Sequence, residues 1–350
     1  MLEGIRSAVW IIAVGVIVTA LYLGRDIFAP FAIAVFLWLV MESFARQIDE
    51  TLKILPSWAC RLIGIALVLL GFGLVLVFLG QGIEDISGRA GEYEARINDL
   101  IRDIYMMIGL PNAPTLSSLL FGETGQRFIG ALASATSALS ENLVIVLIYV
   151  AFLFLAASNW STKLDEIFKD PGHREQVRQV SAEAARGIES YLWTQTVISV
   201  LITTLTYLTL IALGVENAIL LSVLIFILNY IPTVGSILAA FVPLLFAIAQ
   251  PSWPGYMPDN TYLNAGLVFA GVSFWQFSIG NFIQPRLMGD TLNLSTLVVL
   301  LSLSIWGALW GIPGMFLSAP LTVLVMVICN QFNSTKWLAI LLSADGKPGK

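Results

Sequence analysis

The sequence predicts an all-α protein that crosses the lipid bilayer repeatedly, and three observations carry that expectation. Of its 350 residues, 57% are hydrophobic and only 12% are charged. A soluble domain carries about 25% charged residues, so much of this chain's surface must face hydrocarbon. The apolar residues are gathered into eight long runs rather than scattered. Two of those runs are too long for one crossing and are interrupted by proline and glycine.

The runs are Ser7–Leu23, Ile27–Ala45, Leu62–Gly80, Leu143–Ser158, Leu192–Leu213, Ala218–Ala249, Leu263–Gly280 and Leu297–Cys329. About 20 residues of helix cross ~30 Å of hydrocarbon, which most of them match. Ser7–Leu23 leads into Arg25 and a second apolar run, not a small-residue cleavage site, so it reads as a retained membrane helix. Pro30 lies close to the start of the second run, where first-turn amides lack partners anyway. Ala218–Ala249 has 32 residues and Leu297–Cys329 has 33; each would be about 48–50 Å long as a straight helix. The first is broken at Asn229-Tyr230-Ile231-Pro232-Thr233-Val234-Gly235 and the second at Trp310-Gly311-Ile312-Pro313-Gly314. Proline removes an amide donor and crowds the preceding turn, so each run is expected to fold as a hairpin. Half-helices of about 15 residues fall short of a full span, which favours re-entrant pairs.

Lysine and arginine placement supports this topology. With Arg6 inside, the loop carrying Arg46, Lys53 and Arg61 is inside, as is the segment with Lys163, Lys169, Arg174, Arg178 and Arg186. The stretch 250–262 has no Lys or Arg and falls outside, and Arg286, Lys336, Lys347 and Lys350 return inside if both broken runs are hairpins. The expected organisation is membrane helices over 1–80, an extracytoplasmic helical arm over 81–142, and a membrane helix over 143–158. A cytoplasmic amphipathic helix over 159–191, a membrane core with two broken hairpins over 192–330 and a cytoplasmic tail over 331–350 complete it. The arm holds eight acids against four arginines. Its first half spaces Ile83, Ile86, Ala90, Tyr93, Ile97, Leu100, Ile104 and Met107 by threes and fours, a coiled-coil-type seam. That seam either packs on its own chain, against Phe128, Leu132 and Leu139, or joins subunits. The turn Leu110-Pro111-Asn112-Ala113-Pro114 follows it. The inside helix is expected to start at Asp170-Pro171 and to lie along the membrane surface, with Val177, Val180, Ala184, Gly187 and Tyr191 on its apolar face.

Several function classes are excluded or disfavoured. A net charge of −5 leaves no nucleic-acid footprint. The single histidine, His173, excludes sites that need two imidazoles, and Cys60 and Cys329 form no motif. No His/Asp/Ser constellation is present, so neither an enzyme nor a bound metal or cofactor is expected. Ionisable groups in hydrocarbon are costly and usually functional; here only Glu42, Glu216 and Glu141 adjoin the runs, all near membrane boundaries. Glu42 and Glu216, with Asp290, are the carboxylates placed to carry a proton or cation.

Uncharged polar residues are more telling. Asn229, Thr233 and Ser236 surround the first break, and Gln195, Thr203, Thr204 and Thr206 lie along the fifth run. Gln276, Asn281 and Gln284 end the seventh run, and Ser302 and Ser304 lie in the eighth. Where a membrane helix breaks, its freed amides and carbonyls need partners or a water-filled cavity, and half-helix ends present partial charges to solutes. The pathway candidates are therefore Asn229, Pro232, Thr233, Gly235, Gln276, Asn281, Gln284, Pro285, Arg286, Asp290, Gly311, Pro313 and Gly314. Arg286 and Asp290, four residues apart, are either a surface ion pair or a gate.

These motifs resemble the AI-2E family of bacterial permeases. The resemblance rests on Asn229 to Gly235, on Asn281 to Gly289, and on Gly307 to Leu321 with Gly311, Gly314 and the closing Ala319-Pro320-Leu321, in matching order and spacing. Thr233, Ser236, Ser295-Thr296 and Trp306 depart from the family pattern, which leaves the solute open. The resemblance implies a multi-pass transporter of the bacterial inner membrane, and the lysine and arginine placement puts both termini on the cytoplasmic side. It implies export of a small solute such as the quorum signal autoinducer-2, or else sodium- or lithium-for-proton exchange, and a homo-oligomer, expected as a pentamer. A solute site between the two broken hairpins is the first expectation; a non-transporting scaffold built on the arm is the alternative of another class.

Overall fold

The computed structural model describes residues 2–51, 53–110, 113–115, 118, 143–157, 160–167, 169–288, 293–332 and 334–347. Among them the chain is helical, with no strand and one isolated bridge, Leu294 to Ser343. Among the described residues, five helices are long and apolar enough to cross a membrane: Arg25–Thr51, Ser57–Gly88, Arg174–Ala212, Thr261–Met288 and Ile312–Gln331. The protein is an all-α, multi-pass membrane protein. It divides into two compact units, one of residues 1–65, 142–193 and 290–350, the other of 66–141 and 194–289.

In the first unit, α1 (Leu2–Leu23) passes into α2 (Arg25–Thr51) through Gly24 alone. The Gly24 amide donates to the Ala20 carbonyl at 2.8 Å and Phe28 donates back to Gly24 at 2.9 Å, so helical pairing continues through the join. The second broken run forms α12 (Thr296–Trp310) and α13 (Ile312–Gln331), packed along each other and against α2. Ala29, Trp310 and Leu317 make their shared core. The Trp310 indole also donates to the Leu21 carbonyl at 3.1 Å, a partner for a carbonyl in the last turn of α1. At the head of α3 (Ser57–Gly88) the backbones come close: a Cβ on Gly64 would lie 2.9 Å from the Met41 carbonyl oxygen on α2. The helices α5 (Leu143–Ala157) and α6 (Trp160–Ile167) precede α7 (Pro171–Ala212). The expected surface-lying helix and the fifth span are one continuous helix of 42 residues, about 63 Å long.

The first unit ends in a clasp. After α14 (Lys336–Leu342) the chain turns back on the segment leading into α12: Ser295 donates its amide to the Leu342 carbonyl at 3.1 Å and Ala344 to the Asn293 carbonyl at 2.9 Å. The Asn293 carboxamide donates to Asp345 Oδ1 and to the Lys347 carbonyl, both at 2.9 Å.

The second unit contains the arm and the first broken run. Helix α3 continues past the apolar run and breaks at Arg89, and α4 (Ala90–Met107) carries the arm onward. Of the seam, Tyr93 and Leu100 are buried, while Ile83, Ile104 and Met107 are exposed. Tyr93 rests its ring on Phe246 of the same chain, with centroids 5.4 Å apart. Phe128, Leu132, Leu139, Pro111 and Asn112 lie outside the described residues. The first broken run forms α8 (Ala218–Leu228) and α9 (Val234–Ala249), and α9 packs on α8 and on α10 (Thr261–Ser278). Asn260 caps α10, its Oδ1 accepting from the Leu263 amide at 3.1 Å. Ile198, Ile202, Ile225, Ala239, Val268 and Val272 fill the core.

Both hairpins close by one device. A Cβ on Gly235 would overlap the Leu228 carbonyl, and one on Gly314 would overlap the Trp306 carbonyl. Glycine there lets the second half-helix start directly on the end of the first. Gly235→Ala is therefore expected to cost about 1–3 kcal/mol through forced backbone displacement. Gly266→Ala, where no atom lies within 4 Å of the added carbon, is expected to be neutral or slightly stabilising. Thermal unfolding of the two variants in detergent checks this.

The clasp is expected to be acid-sensitive. The hydrogen bond from Asn293 and the Lys347 amide hold the Asp345 carboxyl below its ordinary value. A lowered folded value contributes stability above the unfolded value, about 3.9, that is lost as pH falls below it. Hydrogen exchange at the Ala344 amide should accelerate as pH drops from about 5 towards 3, after correction for intrinsic rates. Asp345→Asn should flatten that dependence.

Candidate functional site

The first break gathers the polar residues of the second unit into a knot. Helix α8 ends at Leu228, and the turn amides take up its last carbonyls: Tyr230 donates to Ile227 at 3.2 Å and Ile231 to Leu228 at 2.8 Å. The next carbonyl, that of Asn229, is met from α7, where Gln195 Nε2 donates to it at 2.6 Å. Gln276 on α10 donates to Asn229 Oδ1 at 3.2 Å. Next to it, the hydroxyls of Thr196 and Tyr230 bond at 2.7 Å. The Asn229 Nδ2 is buried and unpartnered among the described residues, a donor held in the knot with nothing to accept from it. Three helices thus converge on Asn229.

The turn that follows is strained. Thr233 has φ 59° and ψ −58°, and the Val234 amide donates to the Pro232 carbonyl across it at 2.6 Å, which makes a γ-turn centred on a threonine. Such a conformation on a β-branched residue costs about 1–3 kcal/mol and clusters at functional sites. Thr233 and Ser236 are exposed beside this turn. In the other unit the corresponding turn puts the positive φ, 66°, on Gly311, next to Pro313 and Gly314, where no side chain resists it.

Of the sequence-named residues, Asn229 and Gln276 come together, with Pro232, Thr233 and Gly235 forming the turn beside them. Asn281 does not join them: it lies in a π-helical turn, Ile279–Ile283, exposed, and donates to the Phe277 carbonyl at 2.8 Å. Gln284 turns to Met288 Sδ at 3.6 Å within α11 (Gln284–Met288). Pro285 and Arg286 are exposed, and Asp290 lies outside the described residues.

Of the three named carboxylates, Glu42 and Glu216 are engaged with arginines. Glu42 lies 3.3 Å from Arg61. Glu216 lies 2.8 Å from Arg89 and accepts from the Tyr93 hydroxyl at 2.9 Å, which fastens the arm to the entry of the first hairpin. Gln250, not singled out in the sequence, completes the fastening: its Oε1 accepts the Glu216 amide at 3.0 Å and its Nε2 donates to the Gly214 and Ser252 carbonyls. Glu189 was also not singled out. It is buried in the first unit, 2.9 Å from Arg46, and its backbone carbonyl accepts from Ser43. No signal along α7 distinguishes it, because its burial comes from α2. No group of three metal-ligating side chains occurs among the described residues.

Burial, then the hydrogen bond to Glu216 and that group's charge, push the Tyr93 hydroxyl up to about 12. A raised folded value means stability present below about 10 and lost as pH rises towards 12. Wild-type protein is therefore expected to lose melting temperature between pH 10 and 12 more steeply than Tyr93→Phe, read by thermal unfolding across that range.

Comparison with known proteins agrees with this architecture. The chain is 27% identical over 346 residues to the AI-2 transport protein TqsA of Escherichia coli (strain K12), covering 98% of this chain and 96% of that protein. It is 26% identical over 345 residues to a Haemophilus influenzae protein named only as a candidate transport protein, with 96% of each chain covered. Over 208 residues it is 26% identical to a sodium-lithium/proton antiporter of Halobacillus andaensis, covering 59% of this chain and 56% of that one. The model of the AI-2E family transporters matches residues 11–334, and the chain belongs to that family of membrane transporters.

Proposed function

We propose that this transporter moves a small polar solute through a site at the first helix break, with autoinducer-2 as the first solute to test. The observation that carries the site is the Asn229 knot: a helix interrupted in an apolar run, with a buried amide donor awaiting an acceptor. Support for the solute comes from the relative named for autoinducer-2 transport, which spans nearly the whole chain. The topology proposed with it has both hairpins re-entrant, both termini on the cytoplasmic side of a bacterial inner membrane, and the arm of 81–142 outside. The organisation over 1–80, 143–158, 159–191, 192–330 and 331–350 follows from that topology. A homo-oligomer, a pentamer in one form, is part of the same reading, with the exposed residues Ile83, Ile104 and Met107 of the arm available for contact.

Sodium or lithium exchange for protons is the second reading, favoured by the antiporter relative. It needs a carboxylate free to exchange a proton for a cation, and the pairing of Glu42 with Arg61 and of Glu216 with Arg89 weighs against it.

In proteoliposomes, Asn229→Leu is expected to lower solute flux at least about tenfold, the effect of losing some 1.4 kcal/mol of binding or transition-state interaction. Normal flux in folded Asn229→Leu protein would overturn the site. Proton-coupled lithium flux without autoinducer-2 flux would favour the second reading.

A further inference from the structure

Beyond the knot, helix α7 carries a polar stripe with an unusual gap. Gln195, Ser199, Thr203, Thr206 and Thr209 recur at spacings of three and four, so they lie on one face of the helix. Both ends of the stripe are paired: Gln195 bonds Asn229, and Thr209 accepts from the Trp275 indole at 2.9 Å. The three hydroxyls between them, Ser199, Thr203 and Thr206, are buried and have no hydrogen-bond partner among the described residues, and the residues Ser199 and Thr206 are fully buried.

Serine and threonine on a helix ordinarily return their hydroxyl to the carbonyl four residues back. This chain does so repeatedly, in Thr204 to Val200, Thr209 to Leu205 and Ser222 to Ala218. The three stripe hydroxyls decline that bond although each sits in a regular helix. An unpaired polar group in such surroundings is expensive, and ordered water is the usual remedy.

The spacing fits water. Cβ atoms three or four residues apart on a helix are about 5–6 Å from each other. A water with two hydrogen bonds of about 2.8 Å at its near-tetrahedral angle holds its partner oxygens about 4.5 Å apart, so hydroxyls leaning towards each other from successive positions can share one water. At its start the stripe meets the knot: Gln195, one turn before Ser199, is bonded to Asn229, whose Nδ2 is the unpartnered donor.

We propose that the stripe binds a file of water molecules running from Asn229 along Ser199, Thr203 and Thr206, closed off at Thr209–Trp275. The file is lined by hydroxyls and a carboxamide and by no charged side chain of the stripe. It rests on the reading of the Asn229 break as a solute site, whose polar surface it extends.

Thr206→Val keeps shape and removes the hydroxyl, so its sign discriminates. With water bound, the substitution removes a partner of that water and lowers the melting temperature. With a dry stripe, it removes an unsatisfied group and raises the melting temperature, which overturns the proposal. An unchanged melting temperature likewise counts against it. An experimental map fine enough to show solvent gives a second reading on the wild type. Water within hydrogen-bond distance of Ser199 and Thr206 supports the file; hydroxyls turned to their own helix carbonyls without water overturn it. Flux in Asn229→Leu judges the solute site separately: a hydrated stripe with normal flux keeps the file and removes the site.

Discussion

A helix interrupted within an apolar run leaves backbone groups that lipid cannot satisfy, and the candidate site follows from how this chain meets that demand. At the first break the Asn229 carbonyl is met by Gln195, and the Asn229 side chain by Gln276. Those two bonds fix α7, α8 and α10 about one residue. They also leave the Asn229 amide donor open to a ligand, beside the exposed Thr233 and Ser236, whose hydroxyls donate to the Pro232 and Thr233 carbonyls. A break that exists to bind would have this form: most freed groups satisfied, a few withheld.

The two hairpins solve the same geometric problem with different consequences. Each closes through a glycine against the carbonyl of the preceding half-helix, Gly235 on Leu228 and Gly314 on Trp306. In the second hairpin the awkward backbone falls on Gly311, which tolerates it, so that turn stores little strain. In the first it falls on Thr233, and the strain is retained next to the polar knot. Around this core, charge serves as fastening. Arg89 pairs with Glu216 to hold the arm on the second unit, and Arg46 pairs with Glu189 to hold α2 on α7 in the first.

Much of this was legible in the sequence, and the boundary between legible and hidden is physical. Apolar runs report where a chain prefers hydrocarbon, and Ile231-Pro232 and Ile312-Pro313 report where a helix must fail, so the elements and their breaks could be read directly. Helix continuity could not be. The apolar run ending at Gly80 continues as helix to Gly88, and the charged stretch before Leu192 is the same helix as the span after it. Backbone hydrogen bonds carry helices past changes in polarity. Within the site, Asn229 and Gln276 were named from their polar character in apolar surroundings, but Asn281 and Gln284 share that character and bond within their own helical segments. The partnerships that decided between them, Gln195 with Asn229 and Arg89 with Glu216, join residues 34 and more positions apart, beyond any local pattern. The left-handed backbone at Thr233 had no signal at all, since threonine is not a residue that usually adopts it.

The central claim is that the break at 229–235 is a wetted, ligand-accessible interruption and not a packed kink. Amide hydrogen exchange across 225–240, measured in lipid nanodiscs, tests it most directly. Thr233 and its neighbours are expected to exchange well ahead of Val268 and Val272 in the core of α10. Protection of 229–235 equal to that of Val268 and Val272 would contradict it.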